Sequence, residues 1–184
     1  MLSDLLFGVS LLAASIVAVL CATSAQKRKF QFWPPPRVGS WQHISFRWLF
    51  RLFVYPLVVL TFIEFEAVVG VRALVRYSVG ALAFIVGFGV AFLITLQMGW
   101  RNAFGERQGL KTTGWFSRCR NPVYVATWLG LIGWALVANS WMVAVLLATW
   151  ASLYALAPLL EEPWLEQRYG DEYRTYRADV PRFF

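Results

Sequence analysis

The chain has 184 residues, of which 59% are hydrophobic and 15% are charged. Soluble domains are roughly 45–50% apolar and roughly 25% charged, so this composition excludes a water-soluble fold. The net charge is +7, but no nucleic-acid recognition motif accompanies it. We assign this charge to membrane lipids and not to nucleic acid, because basic residues anchor membrane proteins and attract anionic headgroups.

Long apolar runs follow one another along the chain, and with their flanks they approach the roughly 20 residues that cross a bilayer. Spans are predicted over residues 5–20, 52–63 with its aromatic flanks, 79–98, 123–138 and 141–160. Only Asn139 and Ser140 separate the last two spans, so these two form a tight hairpin. The sequence predicts an all-α integral membrane protein with about five transmembrane helices.

The basic residues predict how these spans are oriented. In a five-span arrangement, all of the 17 Lys and Arg residues except Arg72 and Arg76 lie on one side. Because Lys and Arg concentrate on the cytoplasmic side, we predict an outside N-terminus and a cytoplasmic C-terminus in the cell membrane. Asp4 precedes the first apolar run and the basic run 27–29 follows it, which favours an uncleaved anchor over a signal peptide.

Residues 1–97 are predicted to be a transmembrane scaffold. Their first loop contains Trp33-Pro34-Pro35-Pro36, and consecutive prolines favour an extended segment over a helix. Trp33 lies near a predicted span end, where Trp commonly sits among lipid headgroups, so we expect it to be an interfacial anchor. His43, in the same basic loop, is expected to be a surface residue.

The third span carries small residues at regular spacing. Ala83, Gly87 and Ala91 recur every four residues, a pattern that lets a neighbouring membrane helix approach closely. We predict helix packing through this stripe.

Residues 98–184 hold most of the unusual polar residues and are predicted to be a cofactor-binding catalytic region. Asn121-Pro122 marks the start of the fourth span, since Asn can cap free amides and Pro at the first helical position loses no hydrogen bond. The simpler interpretation is a capped helix with interfacial arginines. The alternative is a pocket for an anionic or polar ligand group at the positive helix end, flanked by Arg118 and Arg120.

Glu161 and Glu162 end the fifth span. A carboxylate at a membrane boundary is costly unless it is paired or solvated, so we expect one to point into the bundle and the other to stay free at the surface. Beyond them, Gly170 and Pro181 are predicted to end two short helices. Tyrosines at 169, 173 and 176 should share one face. The hairpin returns the chain to the cytoplasmic side, where residues 120–124 and Glu161 should meet.

The order of these motifs resembles a known family. Arg-Asn-Pro-x-Tyr over residues 120–124 is followed by a helical hairpin and by Glu-Glu-x-x-Leu-x-x-x-Tyr-Gly-x-x-Tyr-x-x-Tyr-x-x-x-Val-Pro-Arg over residues 161–182. This order is similar to that of the isoprenylcysteine carboxyl methyltransferase family, a broad group that includes phospholipid methyltransferases and prokaryotic integral membrane methyltransferases. The resemblance covers roughly residues 98–184 and implies a site for S-adenosylmethionine (SAM) on the cytoplasmic side.

By matched position, the resemblance implies a set of cofactor contacts, in which Glu161 meets the cationic amino-acid end of SAM. These contacts are Leu110, Phe116, Asn121, Pro122, Val123, Tyr124 and Glu161. Family members that act on prenylated proteins have His at the position of Asn121 and Arg at that of Ala157. The acceptor is therefore left open as an isoprenoid-like or phospholipid-like molecule, or a lipidated substrate.

The resemblance implies in-line transfer of a methyl group to a lipophilic acceptor. Arg120 could orient a carboxylate or phosphate, and Glu162, Tyr124 or a bound water could accept a proton from an amine acceptor. No metal site is expected, because His43 is the single histidine and the two cysteines fit no ligand spacing.

Two other functions fit the sequence less closely. A sterol-type membrane reductase using NADPH shares the C-terminal architecture, but its relatives favour Arg-His-Pro-Asn-Tyr where this chain has Arg-Asn-Pro-Val-Tyr. A non-enzymatic membrane assembly protein would need neither Asn121 nor Glu161. Binding of SAM, and not of NADPH, separates the methyltransferase from both.

Overall fold

The computed structural model describes residues 1–26, 30–99 and 109–184. Within these ranges the chain forms six α-helices, one short 3-10 turn at Gly114–Ser117 and no strand. The helices are α1 (Leu2–Gln26), α2 (Trp41–Ile63), α3 (Val71–Met98), α4 (Pro122–Ala138), α5 (Trp141–Tyr169) and α6 (Asp171–Asp179). The predicted all-α class is confirmed. The basic run 27–29 and the first residues of the predicted catalytic region after Gly99 lie outside the described residues.

Four helices, α1, α2, α3 and α5, are long and apolar enough to cross a membrane. Helix α4 is apolar but has 17 residues, which gives a length of about 25 Å at 1.5 Å per residue. That length is at the lower end of what spans a bilayer. The fifth span, the orientation and the division at residue 97 therefore stay predictions.

Helix α5 differs from the prediction. A span ending near residue 160 and a separate short helix were expected, but one helix of 29 residues continues from Trp141 to Tyr169. Pro158 and Pro163 lie inside it, and each removes only one backbone hydrogen bond from a long ladder. Gly170 does end the helix, with a positive φ of 54° and its N–H bonded to Glu166 O at 2.9 Å.

Helices α3 and α4 pack antiparallel and very closely. A Cβ on Gly87 would overlap the backbone of Gly130, and a Cβ on Gly133 would overlap the backbone of Phe84. Near the opposite end of the pair, the Arg76 guanidinium donates a hydrogen bond to the carbonyl of Leu136. The predicted close approach of a helix to the small-residue stripe of the third span is confirmed.

The main core lies where α1, α2, α4 and α5 meet around Trp150. Phe53 and Leu57 of α2 are fully buried there, and Ser10 of α1 donates to Phe53 O at 3.0 Å. The turn between α4 and α5 uses Asn139 in the left-handed conformation, at φ 54°. This hairpin brings the beginning of α4 and the polar end of α5 to the same end of the bundle.

Candidate functional site

The candidate site is built where the first turn of α4, the last turns of α5 and the C-terminal tail meet. The backbone N–H of Arg120 donates to Pro181 O at 2.9 Å, and the hydroxyl of Tyr124 donates to Glu161 Oε1 at 2.6 Å. The predicted meeting of residues 120–124 with Glu161 is confirmed. The tail is thereby held against the start of α4.

Asn121 precedes α4, and Pro122 occupies the first turn of the helix, as predicted. However, the Asn121 side chain makes no capping hydrogen bond. Its amide instead donates to the carbonyl of Arg182 at 3.0 Å. The predicted cap is wrong, because the hydrogen bond to the tail carbonyl holds the Asn121 side chain away from the free N–H groups of α4.

Glu161 is partly buried, and two neutral donors converge on one of its oxygens. Oε1 accepts from Tyr124 at 2.6 Å and from the indole N–H of Trp33 at 2.7 Å. The Tyr124 ring lies 4.6 Å from the ring of Tyr154 on α5. Both donors are neutral, so no positive charge among the described residues pairs with this carboxyl group.

Glu162 is 7% exposed and lies between two guanidinium groups. Arg182 donates to both of its oxygens at 2.8 Å, and Arg120 Nη1 lies 3.3 Å from Oε1. The hydrogen bonds to Glu162 raise the pKa of Arg182 above its ordinary value. The expectation that one of the two glutamates stays free at the surface is wrong, because the returning tail brings Arg182 to Glu162.

Arg120 contacts both Glu162 of α5 and Tyr173 of α6, while its Nε donor has no partner among the described residues. Its Nη1 also donates to the hydroxyl of Tyr173 at 3.5 Å. Its Nε is buried and has no hydrogen-bond partner among the described residues. Nearly all buried N–H groups have an acceptor, so this donor is suited to an anionic ligand group.

Leu110 and Phe116 belong to a second cluster, formed against α6. They pack with Tyr173, Tyr176 and Val180, and Phe116 O accepts from the Tyr176 hydroxyl at 2.7 Å. Burial raises the pKa of Tyr176 well above its ordinary value, so its hydroxyl stays a donor. Tyr169 packs against the same cluster, so the three tyrosines meet in one cluster, although Gly170 places them on two helices and not on one helix face.

The remaining predicted contacts flank the first turn of α4. Pro122 is buried and Val123 is partly buried, and the carbonyl of Val123 accepts from the Thr127 hydroxyl at 2.8 Å. Cys119 lies just before this turn, and burial raises the pKa of its thiol. The thiol therefore has little thiolate character at neutral pH.

Sequence reasoning missed Trp33 as a site residue. Its proline segment contains no helix, as predicted, but it is not simply extended, because bends and a turn interrupt residues 33–40. The indole, however, donates to Glu161, a contact that was not predicted, while its role as an interfacial anchor stays a prediction. The prediction for His43 is wrong, because this side chain is 7% exposed and its Nδ1 accepts from Gly39 N at 3.1 Å. The Trp33 contact joins residues 128 positions apart, which spacing does not encode, whereas the His43 contact is local, to a residue four positions earlier.

Comparison with known proteins adds a family match. The family model described as phospholipid methyltransferase matches residues 75–172, just over half of the chain. The nickel-cobalt-cadmium resistance protein NccN of Alcaligenes xylosoxydans xylosoxydans is 35% identical over 75 residues. That similarity covers 41% of this chain and 35% of NccN, so this chain matches about a third of that protein. No solved structure matches the chain significantly.

Proposed function

The chain belongs to the phospholipid methyltransferase family, and from this membership we propose that it is a SAM-dependent methyltransferase acting on a lipophilic acceptor. The observation that carries the proposal is the pairing of Glu161 with the start of α4. Glu161 accepts from two neutral donors, at 2.6 and 2.7 Å, and no cationic side chain pairs with it among the described residues. Glu161 is therefore complementary to the ammonium group of the cofactor's amino-acid end.

The residues present fit both charges of that amino-acid end. Glu161 would bind the ammonium, and the buried Nε of Arg120, which lacks a partner among the described residues, would bind the carboxylate. An N–H to carboxylate hydrogen bond is charge-assisted when the donor is a guanidinium. Asn121, Pro122 and Val123 flank these two groups, while Leu110 and Phe116 would contact the cofactor from the α6 side.

When bound, SAM supplies a methyl group already activated by a sulfonium. The protein then has to align the acceptor, exclude bulk water and leave the attacking lone pair free. Tyr124 holds Glu161 in place, and its ring packs on Tyr154, which shields the site from the bundle side. Glu162 fixes Arg120 through the ion pair at 3.3 Å.

For an amine acceptor, a proton must leave the nitrogen before methyl transfer. Glu162 and Tyr124 were predicted as acceptors of this proton, but each is engaged elsewhere. Glu162 accepts from Arg182, and Tyr124 donates to Glu161. We assign both to positioning, and a water molecule to the proton transfer.

The position of the site supports a lipophilic acceptor. Tyr124 lies in the first turn of α4, an apolar helix, and Glu161 lies where the apolar run of α5 ends. An acceptor dissolved in the bilayer would reach them by lateral diffusion, whereas a soluble acceptor gives no reason to embed the enzyme. An isoprenoid-like or phospholipid-like acceptor follows, and methyl transfer from labelled SAM into membrane lipid extract, prenylcysteine analogues or quinones identifies it.

Equilibrium binding to purified protein in lipid nanodiscs tests the cofactor assignment. S-adenosylhomocysteine (SAH), the demethylated cofactor, and SAM should bind, and NADPH should not. Glu161→Gln removes the charge with little change of shape and should weaken SAH binding roughly thirtyfold or more, because it leaves the ammonium without its counter-ion. Glu166→Gln, on the same helix but paired with exposed arginines, is the matched control and should bind normally. Binding of NADPH with no binding of SAH would overturn the assignment.

A further inference from the structure

We propose that Trp33 is a positioning residue of the cofactor site, which it serves by fixing the orientation of the Glu161 carboxylate. This inference rests on the proposed SAM-binding function. Trp33 lies outside the residues 75–172 that match the family. The inference therefore gives the N-terminal part of the chain a role in cofactor binding.

The hydrogen bonds on Glu161 are one-sided. Both Trp33 Nε1 and the Tyr124 hydroxyl donate to Oε1, and no hydrogen bond to Oε2 occurs within the described ranges. Two donors from different elements on one oxygen fix the plane of the carboxylate. Oε2 is thereby left as the oxygen for the ammonium group of the cofactor.

The Trp33 ring is held by protein contacts. It stacks on Phe46 of α2, with ring centres 4.3 Å apart and planes inclined by 29°. The preceding residue, Phe32, is fully buried, and its N–H donates to Ser24 Oγ of α1 at 3.1 Å. Gln31 donates to Pro34 O at 2.6 Å. The indole N–H is therefore aimed from a fixed segment anchored on α1 and α2.

Other tryptophans near the same loop behave differently. Trp41 and Trp48 are 55% and 59% exposed, as expected of residues that face lipid headgroups. Trp33 is partly buried and bonds to a carboxylate from a distant part of the chain. The contrast separates a site residue from interfacial anchors on the same loop and helix, and it supplies a matched control.

Trp33→Phe removes the N–H donor and keeps an aromatic ring on Phe46. We expect the Kd for SAH to rise about tenfold, roughly 1.4 kcal/mol, because a carboxyl group that is no longer oriented meets the ammonium in a less favourable geometry. The Kd for 5′-methylthioadenosine, which lacks the amino-acid end, should change less than about twofold, because Glu161 has no ammonium to bind in that ligand. Trp48→Phe, at a ring that contacts Arg51 and not the Trp33 segment, should leave both values unchanged.

A second variant tests positioning without deleting the donor. Phe46→Leu removes the ring that orients the indole and should give a smaller loss of the same kind, selective for SAH over 5′-methylthioadenosine. If the thermal unfolding midpoint of Trp33→Phe shows that this variant does not fold, Phe46→Leu still tests the positioning role of Trp33.

The outcomes separate the two proposals. If wild-type protein fails to bind SAH, the proposed function fails and this inference fails with it. If wild-type protein binds SAH and both variants bind it equally well, Trp33 has no positioning role although the cofactor assignment stands. Equal losses for both ligands would mean a general structural effect and would likewise overturn the positioning role.

Discussion

Glu161 and Glu162 are neighbours in the sequence, yet they meet different kinds of partner at the end of α5. Glu161 accepts from a phenol and an indole, and no cationic side chain pairs with it among the described residues. Glu162 lies against Arg120 and Arg182, so its charge is balanced within the protein. The pair thus divides into a group suited to ligand binding and a group that holds the tail in place.

Glu162→Gln should therefore destabilise the fold. Breaking a buried ion pair costs roughly 3–5 kcal/mol, but the Arg182 side chain is 40% exposed and solvent compensates part of this loss. We expect the free energy of unfolding to fall by about 2 kcal/mol, since Gln keeps some of the hydrogen bonds. Equilibrium unfolding in detergent, titrated with a denaturing detergent, measures the change.

Glu166→Gln is the control for the same substitution on the same helix. Glu166 also pairs with two arginines, Arg174 and Arg177, but their side chains are 57% and 43% exposed. Exposed ion pairs contribute little to stability, because water screens them, so this substitution should change the unfolding much less than Glu162→Gln does. Equal effects of the two substitutions would show that the tail contact at Glu162 does not hold the site together.

At the scale of the helices, hydropathy predicted the positions of the membrane-length elements because burial in lipid needs long apolar runs. It did not predict that α5 continues through Pro163 to Tyr169, since proline and two glutamates ordinarily indicate a helix end. The continuation is stabilised by tertiary contacts, such as the packing of Leu165 and Tyr169 against α6. Local rules contain no information on that partner helix.

The candidate site, too, could be predicted only in part from the sequence. A short hairpin requires the beginning of α4 to lie beside the end of α5, so the meeting of Tyr124 and Glu161 followed from loop length. The partner of Asn121 is a carbonyl 61 residues away, and Trp33 lies 128 residues from Glu161. Contacts of that separation depend on how the loop and tail fold back, which no local pattern encodes.

The close packing of α3 on α4 gives a prediction at the same scale. Gly87→Ala adds a methyl group that would overlap the backbone of Gly130, so the helices must move apart. Overpacking costs typically about 1–3 kcal/mol, and contact with backbone puts this variant toward the upper end. The unfolding midpoint in detergent should fall accordingly.

Gly89→Ala, two residues along α3, provides the comparison. A Cβ at Gly89 has nothing within 4 Å, and Ala favours a helix over Gly by up to about 1 kcal/mol. We expect unchanged or slightly higher stability for this variant. Equal destabilisation by both substitutions would contradict the close α3–α4 interface.

Across the whole molecule, the described basic residues divide between the two ends of the bundle. Arg120 and Arg182 lie at the end that carries Glu161 and Glu162. Arg76 lies at the other end, where it bonds to Leu136 near the last turn of α4. If the end with more Lys and Arg faces the cytoplasm, the candidate site faces the cytoplasm as well, where SAM is made and used.

Single cysteines test this orientation and the crossing of α4 together, in a background with Cys21→Ser and Cys119→Ser. Ser117 is exposed just before α4, and Trp141, just after it, is 65% exposed. In intact cells a membrane-impermeant maleimide should label Trp141→Cys at once and Ser117→Cys only after permeabilisation. Val69, just before α3, is 86% exposed, and Val69→Cys should behave like Trp141→Cys. Labelling of Ser117→Cys and Trp141→Cys from the same side would show that α4 does not cross the membrane, and the reversed pattern would place the candidate site outside.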